Sequence, residues 1–300
     1  MTVAVELGLI YAVMALGVYL TFRILDFPDL TVDGSFTTGG ATAATLIVSG
    51  TPPLVATAVA GVAGLVAGTI TGLLHTKGRI NGLLAGILTQ IGLYSINLRI
   101  MGDKANLPLL REDTLFTPLR DAGLLGTLSA VGIFAVGALV LKLILDWFLH
   151  TDTGLAMQAT GDNEEMIRSL GVSTDGMKVV GLALSNGLVA VCGALIAQYQ
   201  GFADVGMGIG LIVAGLASVI IGQAIIGQRV IFIATLAVVV GSVLYRVVIQ
   251  LALEAGLNPN DMKLISAVLV VFALVLPQWS VLRRFRPARR LRAVTSGAEA

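Results

Sequence analysis

Long runs of apolar residues, separated by short polar breaks, dominate this sequence. A helix that crosses a membrane needs about 20 mostly apolar residues, and the runs are Val3–Ile24, Gly34–Val48, Leu54–Leu74, Ile80–Leu98, Leu124–Leu149, Val179–Ala197, Ile209–Ile226 and Val230–Leu253, with a further run at Leu264–Leu276. Only 12% of the residues are charged, against about 25% in a soluble domain, so this chain could not cover a water-facing surface. The sequence predicts an all-α, polytopic transmembrane helix bundle of about eight or nine membrane segments.

Two of these runs, Gly34–Val48 and Ile209–Ile226, are short and rich in small residues, which is typical of broken or re-entrant helices. Each follows a similar motif, Phe27-Pro28-Asp29-Leu30 in one case and Phe202-Ala203-Asp204-Val205 in the other. The echo predicts an inverted internal repeat, with halves at about residues 3–122 and 123–282, and a chance match is the alternative. Inverted repeats commonly build transport paths at the membrane midplane.

The distribution of Lys and Arg predicts the orientation in the membrane. Six arginines lie in residues 283–300, so we expect a single transmembrane domain at 1–282 followed by a basic cytoplasmic tail that binds anionic lipid headgroups. Counting back over nine spans puts Thr151–Met177 and His75–Arg79 in the cytoplasm. The same count puts Arg99–Asp121, Glu254–Asp261 and the N-terminus outside.

Known catalytic motifs are absent from the sequence. It contains no glycine-rich phosphate loop ending in Gly-Lys-Ser/Thr, no HExxH and no GxSxG. We therefore expect no catalytic residue, no metal site and no cofactor in this chain, and we do not expect an enzyme. The net charge of +1 offers no basic field for nucleic acid.

Glycines at intervals of four residues predict close contacts between helices. Gly64, Gly68 and Gly72 form one such series, and Gly82 and Gly86 form another. Small residues allow helix backbones to approach closely in lipid, where apolar side chains give helices no reason to associate.

The most polar stretch in the second half of the chain, residues 153–177, is called here the coupling segment. Asp162 and Asn163 can cap a helix start, and Glu164 and Glu165 suit its positive end. Met166, Ile167 and Leu170 form an apolar face, and Gly171 can end the helix. The segment predicts a short amphipathic helix on the cytoplasmic face. An ordinary interfacial loop helix is the alternative.

This segment resembles the coupling segment of ABC permeases of the branched-chain amino acid and ribose importer family. The resemblance rests on Gly154–Ala159, Gly161–Glu165 and Leu170–Val172, on the glycine-rich run Gly208–Gly222, and on Asp26-Phe27 with Gly34-Ser35-Phe36. The runs Leu30–Ser35 and Gly78–Thr89 resemble the tryptophan/tyrosine-type, uncharacterised branch of the family. The resemblance spans about residues 5–280, with one departure: Gln158 stands where many members have Arg.

The resemblance implies a permease subunit of an ABC importer in the inner membrane of a bacterial cell. A second permease copy, two cytoplasmic ATPase subunits that hold ATP and Mg, and an extracytoplasmic binding protein are the implied partners. The residues expected to couple to the ATPase are Asn163, Glu164, Glu165, Ile167, Arg168, Leu170 and Gly171. Glu164, Glu165 and Arg168 would make polar contacts there, and Ile167 and Leu170 would form the apolar anchor.

Polar side chains within the predicted spans are candidates for a substrate path, because such groups are costly in lipid. They are Asp33, Thr37, Thr38, Gln90, Tyr94, Asn97, Asn186 and Gln223. For Asp33 the alternative is a cap on the second span, and for Gln90, Asn97 and Asn186 it is hydrogen bonding between helices.

The expected substrate is an amino acid, aromatic or branched-chain, and a nucleoside or a sugar is the alternative substrate. The alternative function is that of an ion-coupled secondary transporter. The outer loop carries Arg99, Arg111, Glu112 and Asp113. It could dock a binding protein or be a solvated loop without a partner.

Overall fold

The computed structural model describes residues 1–228, 230–256 and 262–275. The described residues form twelve helices and two short strands. In chain order the elements are α1 (Thr2–Tyr19, continued by a π-helical segment Leu20–Ile24), α2 (Thr31–Val48), α3 (Pro53–Thr76), α4 (Gly82–Ile100), β1 (Asn106–Pro108), α5 (Thr117–Asp121), α6 (Leu128–Leu149), α7 (Asp152–Asp162), α8 (Glu164–Ser169), α9 (Thr174–Gln200), β2 (Phe202–Asp204), α10 (Leu211–Ile226), α11 (Ile231–Glu254) and α12 (Met262–Val275).

Six of the described helices are long and apolar enough to cross a membrane. They are Thr2–Ile24, Pro53–Thr76, Gly82–Ile100, Leu128–Leu149, Thr174–Gln200 and Ile231–Glu254. The prediction of a multi-pass membrane protein is therefore confirmed. Helix α10 is apolar but shorter, and α2 carries many Thr and Gly residues, so a count of eight or nine spans stays a prediction.

Large exposed apolar surface lies on α3, α4 and α6. Their exposed side chains are mainly large and aliphatic, among them Val55, Val59, Val62 and Val66 on α3, Leu84, Leu88 and Ile91 on α4, and Ile133, Val136 and Val140 on α6. In water such surface would be costly, whereas hydrocarbon accepts it.

Helix α9 lies at the centre of the bundle, packed against α1, α2 and α3. The contact with α3 is close because the glycine series of α3 faces it. A Cβ atom at Gly68 would lie 2.2 Å from the Leu182 carbonyl oxygen, and one at Gly64 would lie 2.4 Å from the Asn186 carbonyl oxygen. This confirms the helix contact predicted from that series.

The second glycine series makes a different contact from the one predicted. Gly82 and Gly86 of α4 face Phe27 and Leu30, which belong to the connection between α1 and α2 rather than to a helix. The spacing of the glycines indicates a close approach, but it does not identify the partner.

A small sheet that the sequence did not predict joins two loops. Strands β1 and β2 pair antiparallel, with Asn106 opposite Asp204 and Pro108 opposite Phe202. Three-residue strands carry no readable alternation, and their pairing joins residues distant in sequence. The contact links the loop Arg99–Asp121 to the chain after α9, and the predicted orientation placed both on the same side of the membrane.

Three predictions fall partly or wholly outside the described residues. The predicted outer loop Glu254–Asp261 is described only as far as residue 256. The last predicted span runs to Leu276, one residue beyond α12 as the structure describes it. The basic tail at 283–300, and with it the predicted lipid contact, lies outside the described residues.

Candidate functional site

The N-terminus of α10 meets the first turns of α2. Asp33 accepts hydrogen bonds from the backbone N–H groups of Gly210 (2.7 Å) and Ile212 (2.8 Å). Thr37 Oγ1 accepts a third, from the N–H of Gly208 at 3.1 Å. The first N–H groups of a helix lack intrahelical partners and carry partial positive charge, so a carboxylate is favoured there. Asp33 is therefore a cap of α10, whereas the alternative interpretation assigned it as a cap of the second span.

A cavity of about 330 Å³ lies beside this junction. Most of its surface is apolar, but several polar side chains line it, and it is called the polar cavity below. Its walls come from α2, α4 and the loop before α10: Asp33, Gly34, Thr37, Gln90, Ile91, Tyr94, Ser95, Asn97, Val205 and Ile209. Five of the eight residues predicted for the substrate path line this one cavity, namely Asp33, Thr37, Gln90, Tyr94 and Asn97. The structure thus brings together side chains that are up to 64 positions apart in the sequence, counting from 33 to 97.

Asn97 is the most buried polar side chain at the α4 wall, with 1% of its surface exposed. Its Nδ2 donates to the Gly34 carbonyl at 3.4 Å, which ties α4 to α2. Its Oδ1 has no hydrogen-bond partner within the part of the chain that the structure describes. Asn97 therefore makes an interhelical hydrogen bond and also lines the cavity.

The remaining three predicted path residues lie elsewhere. Thr38 is buried and donates to the Gly34 carbonyl of its own helix. Asn186 donates to Asp29 Oδ2 at 2.7 Å and accepts from Ser35 at 2.7 Å, so it joins helices as the alternative interpretation held. Gln223 lines a separate, larger cavity of about 930 Å³, between the π-helical end of α1 and helices α10 and α11.

The coupling segment folds as two helices. Helix α7, which was not predicted separately, precedes the predicted short helix α8. Asn163 caps α8, because its Oδ1 accepts from the Met166 N–H at 3.0 Å, and Gly171 follows the helix with a φ of 86°. The capping residue and the end of the predicted helix are thus as the sequence indicated.

Helix α8 is fastened to α9 by charges. Glu164 pairs with Arg168 at 2.9 Å and with Lys178 of α9 at 2.7 Å. The hydrogen bond from the Lys178 ammonium, together with its charge and bonds from neighbouring groups, outweighs partial burial and holds the pKa of Glu164 below its usual range. Glu164 therefore forms an internal clasp between α8 and α9, and its predicted contact with the ATPase stays a prediction.

The outward face of α8 differs from the predicted one. Ile167, predicted as part of the apolar anchor, has only 7% of its surface exposed and packs against its own chain. Met166 (51% exposed) and Leu170 (70% exposed) carry the apolar surface instead. Glu165 and Arg168 lie beside them and are exposed. These four residues are called the coupling surface below.

Helix α7 packs closely against the end of α1, with the backbone at Gly161 next to the backbone at Ile24. A Cβ atom at Gly161 would lie 1.9 Å from the Ile24 carbonyl oxygen, so only glycine permits this approach. Gln158 donates to the Leu149 carbonyl at 2.8 Å and so holds α7 to the end of α6. The residue that departs from the family pattern thus has a structural role here.

Sequence reasoning missed a buried ion pair. Lys142 and Asp146 of α6 lie 2.6 Å apart, with side chains 0% and 8% exposed. Thr235 of α11 donates to Asp146 Oδ1 at 2.7 Å, and the Lys142 ammonium lies 3.0 Å from the centre of the Phe232 ring. The signal was available, because an acid four residues after a base within an apolar run is rare and places both on one helix face.

Six helices long and apolar enough to cross a membrane, a cavity lined by polar side chains and a short amphipathic helix are features expected of a membrane transport permease. Among the described residues no group of three or more His, Cys, Asp or Glu side chains is placed to hold a metal ion. Comparison with known proteins identifies the family. The chain belongs to the ABC importer permeases described as the permease component of branched-chain amino acid transport systems, whose family model matches residues 3–275.

Individual relatives agree with this family. The tyrosine transport system permease protein of Clostridioides difficile is 44% identical over 264 residues, 88% of this chain and 86% of that protein. An uncharacterized protein of Rickettsia prowazekii is 35% identical over 90% of this chain and 95% of its own length. The autoinducer 2 import system permease protein of Yersinia pseudotuberculosis is 32% identical over 53% of this chain and 44% of that protein. No solved structure gives a significant match.

Proposed function

We propose that this chain forms the membrane path of an ABC importer for an aromatic amino acid, with ATP hydrolysis supplied by separate cytoplasmic subunits. The observation that carries the substrate is the 44% identity to a tyrosine transport permease over most of both chains. A branched-chain amino acid is the alternative substrate, because the family is described by transport of such amino acids.

The polar cavity is our candidate for a solute-binding site on the transport path. It is large enough for a small ligand, since binding pockets start at about 300 Å³, and its lining combines polar and apolar side chains. At its mouth Ile91, Tyr94 and Ile209 are at least half exposed. We propose that a second copy of the permease covers this mouth and that the two inverted halves rock around it in alternating access.

The coupling segment is our candidate for the contact with the ATPase. The coupling surface is compact and amphipathic, with the apolar Met166 and Leu170 beside the charged Glu165 and Arg168. Helix α7 directly precedes α8, and its Gly161 packs on Ile24 at the end of α1. A displacement of α8 would therefore be passed through α7 to the connection between α1 and α2, and so to the polar cavity. Movement of rigid elements in direct contact transmits force without new chemistry.

Autoinducer 2 is the second candidate solute. It is favoured by the partial match to the permease of an autoinducer 2 import system. We propose that an extracytoplasmic binding protein selects the solute and docks on the outer loop that carries Arg111, Glu112 and Asp113. Competition uptake with tyrosine, leucine and autoinducer 2 separates these candidates.

Capture of the cognate ATPase by detergent-solubilised permease tests the coupling proposal. We expect wild type to retain the ATPase and the Glu165→Arg and Leu170→Asp variants to lose it, because both side chains are exposed on the coupling surface. Glu112→Arg, an acid on the outer loop, is the matched control and should retain it. Retention of the ATPase by both coupling variants would overturn the placement of the contact.

A further inference from the structure

The amide oxygen of Asn97 is a buried acceptor without a donor. Its side chain is 1% exposed, it lines the polar cavity, and Oδ1 has no hydrogen-bond partner in the described part of the chain. Buried acceptors are nearly always satisfied, because leaving one unpaired costs the desolvation of that group. The Asn97 amide cannot turn to solve this, since its Nδ2 already donates to the Gly34 carbonyl.

The surroundings of Asn97 favour a cationic donor. The Asp33 carboxylate lines the same cavity and is held in place by the N–H groups of Gly210 and Ile212. No Lys or Arg side chain is among the residues that line this cavity in the described structure. A carboxylate ligand would meet a like charge here, whereas an ammonium group would meet an acceptor and a counter-charge.

The rest of the lining suits an apolar or aromatic group. It includes Ile91, Val205, Ile209 and the Tyr94 ring. A ligand with a protonated amine at one end and a hydrophobic group at the other matches both sets of lining residues. This arrangement follows from the residues of the cavity and does not depend on the identity of any relative.

We propose that the polar cavity is an amine-recognition site, in which Asn97 Oδ1 accepts a hydrogen bond from the protonated amine of the transported amino acid. The proposal rests on the proposed function, because it treats the ligand as the transported solute. It adds the group that is recognised and the atom that recognises it. The proposal includes no contact between the substrate carboxylate and Asp33, because the two groups carry like charges.

Cysteine protection tests this directly. The only native cysteine, Cys192, is completely buried, so a Ser95→Cys variant carries one accessible thiol at the cavity wall. Labelling by N-ethylmaleimide is timed in detergent with tyrosine, with tyramine, which lacks the carboxylate, with 3-(4-hydroxyphenyl)propanoate, which lacks the amine, and with ribose. Ser129→Cys, an exposed serine at the start of α6 that does not line the cavity, is the matched control.

We expect tyrosine and tyramine to slow labelling at position 95 and not at position 129, and the propanoate and ribose to leave both rates unchanged. Adding Asn97→Leu should raise the tyramine concentration needed for half protection by about tenfold or more, the loss expected for one hydrogen bond to a charged group. The ligand series needs no substitution at Asn97, so it decides the matter even if that variant does not fold.

Equal protection by the propanoate or ribose would overturn amine recognition, and so would a lack of protection by any ligand. The ATPase capture described above separates this failure from failure of the proposed function. A permease that retains its ATPase without amine-selective protection refutes the site alone. Amine-selective protection without ATPase binding would keep the site and refute the importer assembly.

Discussion

Lys142 and Asp146 face α11 from neighbouring turns of α6, and replacing the acid alone should destabilise the protein severely. In Asp146→Leu the fully buried Lys142 ammonium loses its counter-charge at 2.6 Å and keeps only the Phe232 ring. Removing one partner of a buried ion pair costs about 3–5 kcal/mol. Thr235 loses its bond to Asp146 in the same change, which contributes about 1 kcal/mol more.

The double variant Lys142→Met with Asp146→Leu should recover most of that loss. Replacing a whole buried pair with apolar residues of similar volume is often neutral or stabilising. Thermal unfolding of wild type, both single variants and the double variant in one detergent gives the coupling between the two sites. With about 2–4 °C of melting temperature per kcal/mol in domains of 150–250 residues, the single acid variant should melt at least about 6 °C lower.

Glu254→Leu is the control, because Glu254 is an exposed acid on α11, and surface changes usually stay within about 0.5 kcal/mol. Two results would refute the reasoning. One is a double variant as unstable as Asp146→Leu alone. The other is an Asp146→Leu variant as stable as the control, which would mean that the Lys142 ammonium does not depend on the Asp146 carboxylate as a buried counter-charge.

Two further predictions concern the α8 clasp and the α3–α9 contact. Because the folded-state pKa of Glu164 is lowered, its stabilising effect is present above the ordinary carboxyl pKa of about 4.3 and is lost as the pH falls through the lower folded-state pKa. Amides in residues 164–172 should therefore be well protected from hydrogen exchange at pH 7, relative to their intrinsic exchange rate at that pH, and this protection should fall under acid. Glu164→Gln should lower the protection already at pH 7; equal protection in the variant and wild type at pH 7 would contradict the clasp. Gly68→Val should prevent α3 from packing on α9, seen as lost monodispersity in size-exclusion chromatography, whereas Gly92→Val, at a glycine with nothing within 4 Å, should behave as wild type; a well-folded Gly68→Val would refute that contact.

Features set by neighbouring residues could be predicted from the sequence. Hydropathy located the six membrane-crossing helices, and the Asn163 cap with Gly171 eight positions later bounded α8, because capping depends on residues within one or two turns. The polarity of Asp33, Thr37, Gln90, Tyr94 and Asn97 within apolar runs selected most of the polar side chains of the cavity, since such groups are costly in lipid unless they serve a purpose.

Features set by distant contacts could not. Asp33 caps α10 by accepting from the N–H of Gly210, 177 positions away, and no local pattern distinguishes that from a cap on its own helix. Ile167 faces inward although its neighbours Met166 and Leu170 face out, because a helix of six residues is too short for periodicity to fix its buried side. The pairing of β1 with β2 likewise depends on the tertiary fold.

Reconstituted uptake tests the central claim most directly. Permease, ATPase and binding protein are placed in vesicles, and labelled tyrosine is followed with ATP and Mg on the ATPase side, with and without an ionophore that dissipates ion gradients. The importer account predicts accumulation that requires ATP hydrolysis, persists with the ionophore and is lost in Leu170→Asp. Accumulation that proceeds without ATP and is abolished by the ionophore would contradict the account and establish an ion-coupled carrier.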